Sequence, residues 1–124
     1  MAALFVENLN FRQVPGGSTR IDITGAFFSE PVAEFPAHLT PHLVVLVRAA
    51  ADDSGAGTLE AVFMRDGDEV ARNVQQFSVE PGKFWYRLVR PELEFPEPGV
   101  IEAHCTITES GSSVIVPLTA IAAP

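Results

Sequence analysis

Runs of apolar residues alternate with polar ones along the chain, and turn-forming residues separate the runs. A period of two places successive side chains on opposite faces of a strand. The ten prolines are spread along the chain and leave no room for a long helix. The pattern predicts about eight strands, which cover residues 3–11, 19–28, 42–50, 58–65, 69–78, 84–90, 99–108 and 113–121.

Turn signals and one long connection complete the predicted fold. Asp66-Gly67 lies between two apolar runs and favours a two-residue hairpin turn. Residues 29–41 contain three prolines and are predicted to cross from one sheet to the other. Many short strands at even spacing are typical of a sandwich or a barrel. We therefore predict one all-β domain over residues 1–124, a two-layer antiparallel sandwich with immunoglobulin-like or jelly-roll-like wiring.

Several predicted strands are apolar on both faces. Only one face of each sheet reaches the core of a two-layer sandwich, so apolar side chains on the other face need a different cover. Alternation directs toward the core Leu43, Val45, Val47, Leu59, Ala61, Phe63, Phe84, Tyr86, Leu88, Ile101, Ala103, Cys105 and Ile107. The outward set is predicted to form an interaction surface, and its members are Val44, Leu46, Val62, Met64, Trp85, Arg87 and Val89.

Two explanations are open for these outward apolar side chains. A long loop or a terminal segment of the chain can cover them, or they can form an oligomer or partner interface. The segment Phe84-Trp85-Tyr86-Arg87 favours an interface, because aromatic residues and arginine are enriched at binding hot spots. Alternatively, Trp85 caps the sandwich edge or packs under the 29–41 segment.

The charge of the chain restricts its partners. Asp and Glu number 16 against 8 Lys and Arg, which gives a net charge of −8 and a pI near 4.7. Nucleic acids and anionic membranes attract cationic proteins, so both are disfavoured as partners. The single cysteine cannot form an internal disulfide, and the N-terminus lacks the pattern of a signal peptide. We expect a cytoplasmic protein.

The residues that could carry chemistry do not form a recognised motif. Cys105 and His104 are neighbours on one predicted strand, so their side chains point to opposite faces and cannot form a nucleophile–base pair. The three histidines lack the spacing of a zinc site. The acidic turns at 52–53 and 66–69 lack the spacing of an EF-hand. We predict no enzyme activity, no cofactor and no metal site.

Several segments resemble those of known sandwich proteins. Leu93–Glu102, with its Pro-x-Pro-Gly sequence, resembles the segment before a late strand of immunoglobulin-like and fibronectin-type-III-like sandwiches, with Ile101 in the place of a tyrosine. Taken with Ile21–Phe27, Leu43–Val47 and the Asp66-Gly67 hairpin, the chain resembles an uncharacterised family of short bacterial β-sandwich proteins over nearly its full length. The resemblance implies a sandwich fold and no catalytic residues.

The sequence therefore predicts a non-enzymatic structural or interaction module whose partner is a protein. The chain would self-associate as a homo-oligomer or dock on a larger bacterial assembly through an apolar outer sheet face. The alternative is a lectin-like or calcium-assisted ligand-binding sandwich, in which a sugar ring stacks on Trp85 and the acidic turns hold the ion.

Overall fold

The structure is a computed structural model that describes residues 1–52 and 54–124. Asp53, one residue of the predicted acidic turn at 52–53, lies outside the described residues. Over the described ranges the chain forms eleven strands and no helix. The strands are β1 (Ala2–Gln13), β2 (Thr19–Ala26), β3 (Ser29–Val32), β4 (Ala37–Leu39), β5 (His42–Arg48), β6 (Ala56–Arg65), β7 (Asp68–Ser78), β8 (Phe84–Val89), β9 (Leu93–Phe95), β10 (Gly99–Ile107) and β11 (Ser113–Ala122).

The strands form two large sheets and one small ribbon. Sheet A has the order β2-β1-β5-β8, and sheet B has the order β3-β11-β10-β6-β7. β4 and β9 pair with each other. β3 runs parallel to β11, whereas the other pairs of described strands are antiparallel. Buried side chains from both large sheets form one core, which confirms the predicted all-β, sandwich-like fold.

Three short strands, β3, β4 and β9, were not predicted. The eight predicted strands are all present, and their ends differ from the prediction by at most two residues. β3 contains Pro31 and lies at the edge of sheet B, where a missing N–H is tolerated. The strands on either side of the 29–41 segment, β2 and β5, both belong to sheet A. The segment crosses from sheet A to sheet B at β3, as predicted, and the chain then returns to sheet A at β5.

The core confirms most of the predicted inward side chains. On β10, Cys105 is 0% exposed and lies opposite Ala61 of β6. Burial raises the pKa of the Cys105 thiol to about 11, because a thiolate loses its hydration there. Ile107 is the exception in its strand and is only partly buried. The confirmed residues are Leu43, Val45, Val47, Leu59, Ala61, Phe63, Ile101, Ala103 and Cys105.

The hairpin predicted at Asp66-Gly67 is confirmed. β6 ends at Arg65 and β7 begins at Asp68, so the loop has the two predicted residues. Asp66 has φ of 50° and Gly67 has φ of 83°. Two successive positive φ values define the type I′ turn, whose twist matches that of the flanking strands.

The predicted faces of β8 are wrong. Trp85 lies opposite Val47 and Val89 lies opposite Leu43, so both share the face that points to the core. Phe84, Tyr86 and Leu88, which were predicted to face the core, are on the outer face. Both faces of β8 are apolar, so alternation does not fix which face is inward. The register against β5 decides it, since a shift by one residue exchanges the faces.

The β1–β2 hairpin bends back across the outer face of sheet A. Ala2 of β1 pairs with Leu46, which pairs with Tyr86 of β8. In a straight strand, Phe11 would lie about 30 Å beyond Ala2, at roughly 3.3 Å per residue. The Phe11 and Tyr86 ring centroids are instead 5.0 Å apart. The far half of the hairpin therefore lies over β5 and reaches β8.

This hairpin accounts for a buried residue on the outer side of sheet A. Val44 points away from the core, yet it is 1% exposed and does not belong to the main core cluster. The path of the hairpin from Val6 to Tyr86 passes over Val44. Of the two covers left open by the sequence, a terminal segment of the chain itself protects this part of the outer face.

Candidate functional site

Four aromatic side chains form a surface cluster at the edge of sheet A, which we call the aromatic patch. Its members are Phe11, Phe84, Trp85 and Tyr86. Tyr86 is half-buried, and its ring centroid lies 5.0 Å from that of Phe11 and 5.2 Å from that of Trp85. Phe84 is 65% exposed, and Phe11 and Trp85 are each 48% exposed. Exposed large aromatic side chains that lie together are typical of binding surfaces.

The turn before β8 holds the start of this strand in place. The Gly82 N–H donates to the Ala49 carbonyl at 2.9 Å, and the Ala49 N–H donates to the Lys83 carbonyl at 3.1 Å. Lys83 also forms an ion pair with Glu80 at 2.7 Å. These contacts tie the turn to the end of β5. Phe84 follows directly and is presented at the surface by a fixed backbone.

A cleft of about 320 Å³ opens beside Trp85. It lies between the end of β7, the β7–β8 turn and the start of β8, and its lining residues are Ser78, Val79, Glu80, Lys83, Phe84 and Trp85. Trp85 packs beside Tyr86, at the edge of sheet A opposite to β2. This half-exposed position on the inward face of an edge strand fits the alternative that Trp85 caps the sandwich edge, and the residues that line its cleft lie between 78 and 85.

A positive charge lies beside the aromatic patch. Arg48 is exposed and pairs with Phe84 across the outer face of sheet A. Among residues 1–52 and 54–124, no carboxylate forms an ion pair with Arg48. Arg12 and Arg20 are cross-strand partners on the hairpin and lie on its opposite face from Phe11 and Ile21. Asp22 accepts a hydrogen bond from Arg12 at 2.7 Å, which lowers the pKa of the Asp22 carboxyl.

The seven residues predicted as an interaction surface do not lie on one face. Val44 is buried under the hairpin and Val89 is buried in the core, each at most 1% exposed. Arg87 points inward and donates to the Gln76 carbonyl at 3.2 Å. Leu46 is half-buried beside Tyr86 on the outer face of sheet A. Of this group, only Trp85 is in the aromatic patch.

Val62 and Met64 lie on the outer face of sheet B, on the opposite side of the molecule. Both are half-buried and lie among charged groups. Arg72, the cross-strand partner of Val62, binds Glu60 and Glu69. Glu102 and His104 lie opposite Met64 and Val62 and are 3.4 Å apart. Exposed apolar side chains also occur there, at Val74, Val100, Ile115 and Ile121. This face is mixed, and internal ion pairs already occupy much of it.

Sequence reasoning did not assign Phe11 to the site. One signal was present: the hairpin of β1 and β2 places Phe11 opposite Ile21 and Leu9 opposite Ile23. An apolar face on a hairpin that extends past its sheet must cover something or remain exposed. The alternation showed that face, but it did not show the bend that brings Phe11 to Tyr86.

The polar residues considered for chemistry are dispersed. Cys105 is buried, and His104 lies on the other face of the same strand. The ring of His42 contacts the Glu7 carbonyl oxygen at 3.2 Å. Across the described ranges, no three His, Cys, Asp or Glu side chains are placed to hold a metal ion. The part of the chain that the structure describes also contains no helix long and apolar enough to cross a membrane.

Comparisons of the chain with protein-family models, with curated proteins and with solved structures found no match. The resemblance to short bacterial sandwich proteins stays a prediction.

Proposed function

We propose that this chain is a non-catalytic interaction module that binds a partner protein through the aromatic patch. The observation that carries the proposal is the contact of Phe11 and Trp85 with Tyr86, next to the exposed ring of Phe84. Four aromatic side chains from two distant segments lie around the start of β8, with Trp85 on the opposite face of the strand from Phe84 and Tyr86. Phe84 is 65% exposed, and Phe11 and Trp85 are each 48% exposed. Such residues supply much of the binding free energy in protein interfaces.

The aromatic patch is favoured over the outer face of sheet B. On sheet B, the charged groups of Arg72, Glu60 and Glu69 satisfy one another, and separating or burying them would cost free energy. The aromatic patch has no internal ion pair within it except that of Lys83 and Glu80 at the rim, among the described residues. Covering its rings would remove apolar surface from water without a comparable penalty.

The proposal also includes the wiring of the strands within the sandwich. We infer an immunoglobulin-like wiring, and the order β11-β10-β6-β7 within sheet B supports it. The variable-type immunoglobulin sheet places its last two strands beside its third strand in the same way and adds a further strand at the edge. The location in the cytoplasm, the bacterial source and the formation of a homo-oligomer stay predictions.

Two matched variants test the proposal. Phe84→Ser removes the most exposed ring of the aromatic patch, and Ile115→Ser removes a 52% exposed side chain from the outer face of sheet B. Both should leave the fold intact, because exposed substitutions change stability by about 0.5 kcal/mol or less. Circular dichroism first verifies that each protein is folded. Each protein is then used to capture partners from host lysate and is also examined by light scattering.

The expected result is that Phe84→Ser loses the captured protein, or the self-association, and that Ile115→Ser keeps it. Equal retention by Phe84→Ser and wild type would contradict the proposal. Loss of the captured protein or of self-association in Ile115→Ser alone would show that the binding surface is the outer face of sheet B.

A further inference from the structure

We infer that the occupant of the aromatic patch is an extended, carboxylate-bearing segment of a foreign protein that lies along the free edge of β8, an inference that rests on the proposed function. Three features of the site support it: its charge, the open strand edge and the tilt of its rings.

The charge beside Phe84 is opposite in sign to that of the whole molecule. The chain has a net charge of −8, yet the residue next to Phe84 across the outer face of sheet A is the exposed Arg48. Arg48 is on the same face as Phe84 and has no carboxylate partner among the described residues. A bound carboxylate would receive a charge-assisted hydrogen bond from this guanidinium.

The backbone beside the rings is open on one side. β8 is the last strand of sheet A, so one side of it has no neighbouring strand. At its far end, Gln75 donates to the Leu88 carbonyl at 3.0 Å and Arg87 donates to the Gln76 carbonyl at 3.2 Å, which ties β8 to β7. The start of β8, at Phe84–Tyr86, has no such tie among the described residues. An extended peptide can add to an open edge of this kind through main-chain hydrogen bonds.

The tilt of the rings favours peptide side chains over a sugar. The Phe11 and Trp85 rings are inclined to Tyr86 by 35° and 44°, and Trp85 lies on the opposite face of β8 from Tyr86. Rings inclined to one another in this way do not form a flat platform for a sugar ring. An extended segment places alternate side chains on the two sides of the strand edge, and the rings of β8 lie on both of these sides.

Trp85 is the only tryptophan in the chain, so its fluorescence reports on the site directly. The probe is an acetylated, amidated pentapeptide pool in which glutamate alternates with a mixture of leucine, valine and phenylalanine. Matched pools carry glutamine or lysine in place of glutamate. Each pool is titrated to about 1 mM, near the weak limit of measurable affinity, into wild-type protein, Arg48→Gln and Arg72→Gln. The two variants lose the same charge, but Arg72 lies on sheet B.

The glutamate pool is expected to change Trp85 fluorescence, and the lysine pool is not. Arg48→Gln should weaken the response roughly two- to fivefold, the range of an exposed ion pair, while Arg72→Gln leaves it unchanged. Equal responses to the three pools, or none to the glutamate pool, would overturn the inference. The proposed function would then still stand if Phe84→Ser alone loses the captured protein.

The same protein samples also test two other possible occupants of the aromatic patch. An oligosaccharide of uronic acids that changes Trp85 fluorescence at lower concentration than the glutamate pool would overturn the peptide in favour of a sugar. A dimer that Phe84→Ser dissociates would identify a second copy as the occupant, and this would also overturn the inference.

Discussion

Because the β1–β2 hairpin covers part of sheet A, we expect two chemically equal substitutions to change the free energy of unfolding by different amounts. Val44→Thr and Val62→Thr each replace a methyl group with a hydroxyl and keep the branched shape that suits a strand. Val44 is 1% exposed beneath the β1–β2 hairpin, whereas Val62 is half-buried on the open face of sheet B. A hydroxyl without a hydrogen-bond partner in an apolar site costs about 1–3 kcal/mol. At the open site the hydroxyl keeps its water, so the change should be within about 0.5 kcal/mol.

The assay is urea unfolding followed by circular dichroism in the presence of a reducing agent. Small domains lose about 1–3 kcal/mol of stability per molar urea, so a loss of about 2 kcal/mol lowers the midpoint by roughly 1 M for Val44→Thr. The slope should stay constant, and the midpoint of Val62→Thr should match that of wild type. Equal midpoints for the two variants would show that Val44 is accessible to water and that the hairpin does not cover it.

Three further predictions concern other parts of the chain. Cys105, whose thiol pKa burial raises to about 11, should react with a thiol reagent at least about a hundredfold more slowly in native protein than in urea, and fast native reaction would contradict its burial. Glu109 accepts from the N–H and the hydroxyl of Thr58 at 2.7 and 2.9 Å, which lowers the pKa of Glu109. Its contribution to stability is therefore present above the unfolded-state pKa and lost as pH falls through the lower folded-state pKa. Glu109→Gln should lower the melting temperature at neutral pH, with a difference from wild type that shrinks in acid, and a difference independent of pH would refute this. Gly67→Ala should cost about 1 kcal/mol, because Gly67 has positive φ although no atom lies within 4 Å of an added Cβ, and unchanged stability in urea would contradict the type I′ turn.

The strands were predictable because their alternation and turn residues are local signals. The type I′ turn at Asp66-Gly67 needs only two residues with positive φ, and the inward face of β10 alternates cleanly with polar neighbours. β8 lacked such a signal, since it is apolar on both faces. Its orientation follows from the pairing of Trp85 with Val47, and strand pairing is a property of the whole fold.

The site was predictable only in part for a related reason. The segment around Trp85 was recognisable from its composition of aromatic residues and arginine. The contribution of Phe11 depends on a bend that brings it to within 5.0 Å of Tyr86, 75 positions later in the chain. Such long-range contacts are set by packing, and no local pattern in a single sequence specifies them.

The most direct test of the central claim uses the indole N–H of Trp85, which gives a single signal in a nitrogen-edited NMR spectrum because the chain has one tryptophan. The partner captured from host lysate is added to labelled protein, and complex formation is verified by light scattering. Binding at the aromatic patch predicts that the indole signal shifts or broadens as the complex forms. An unchanged indole signal in a formed complex would show that the partner binds elsewhere.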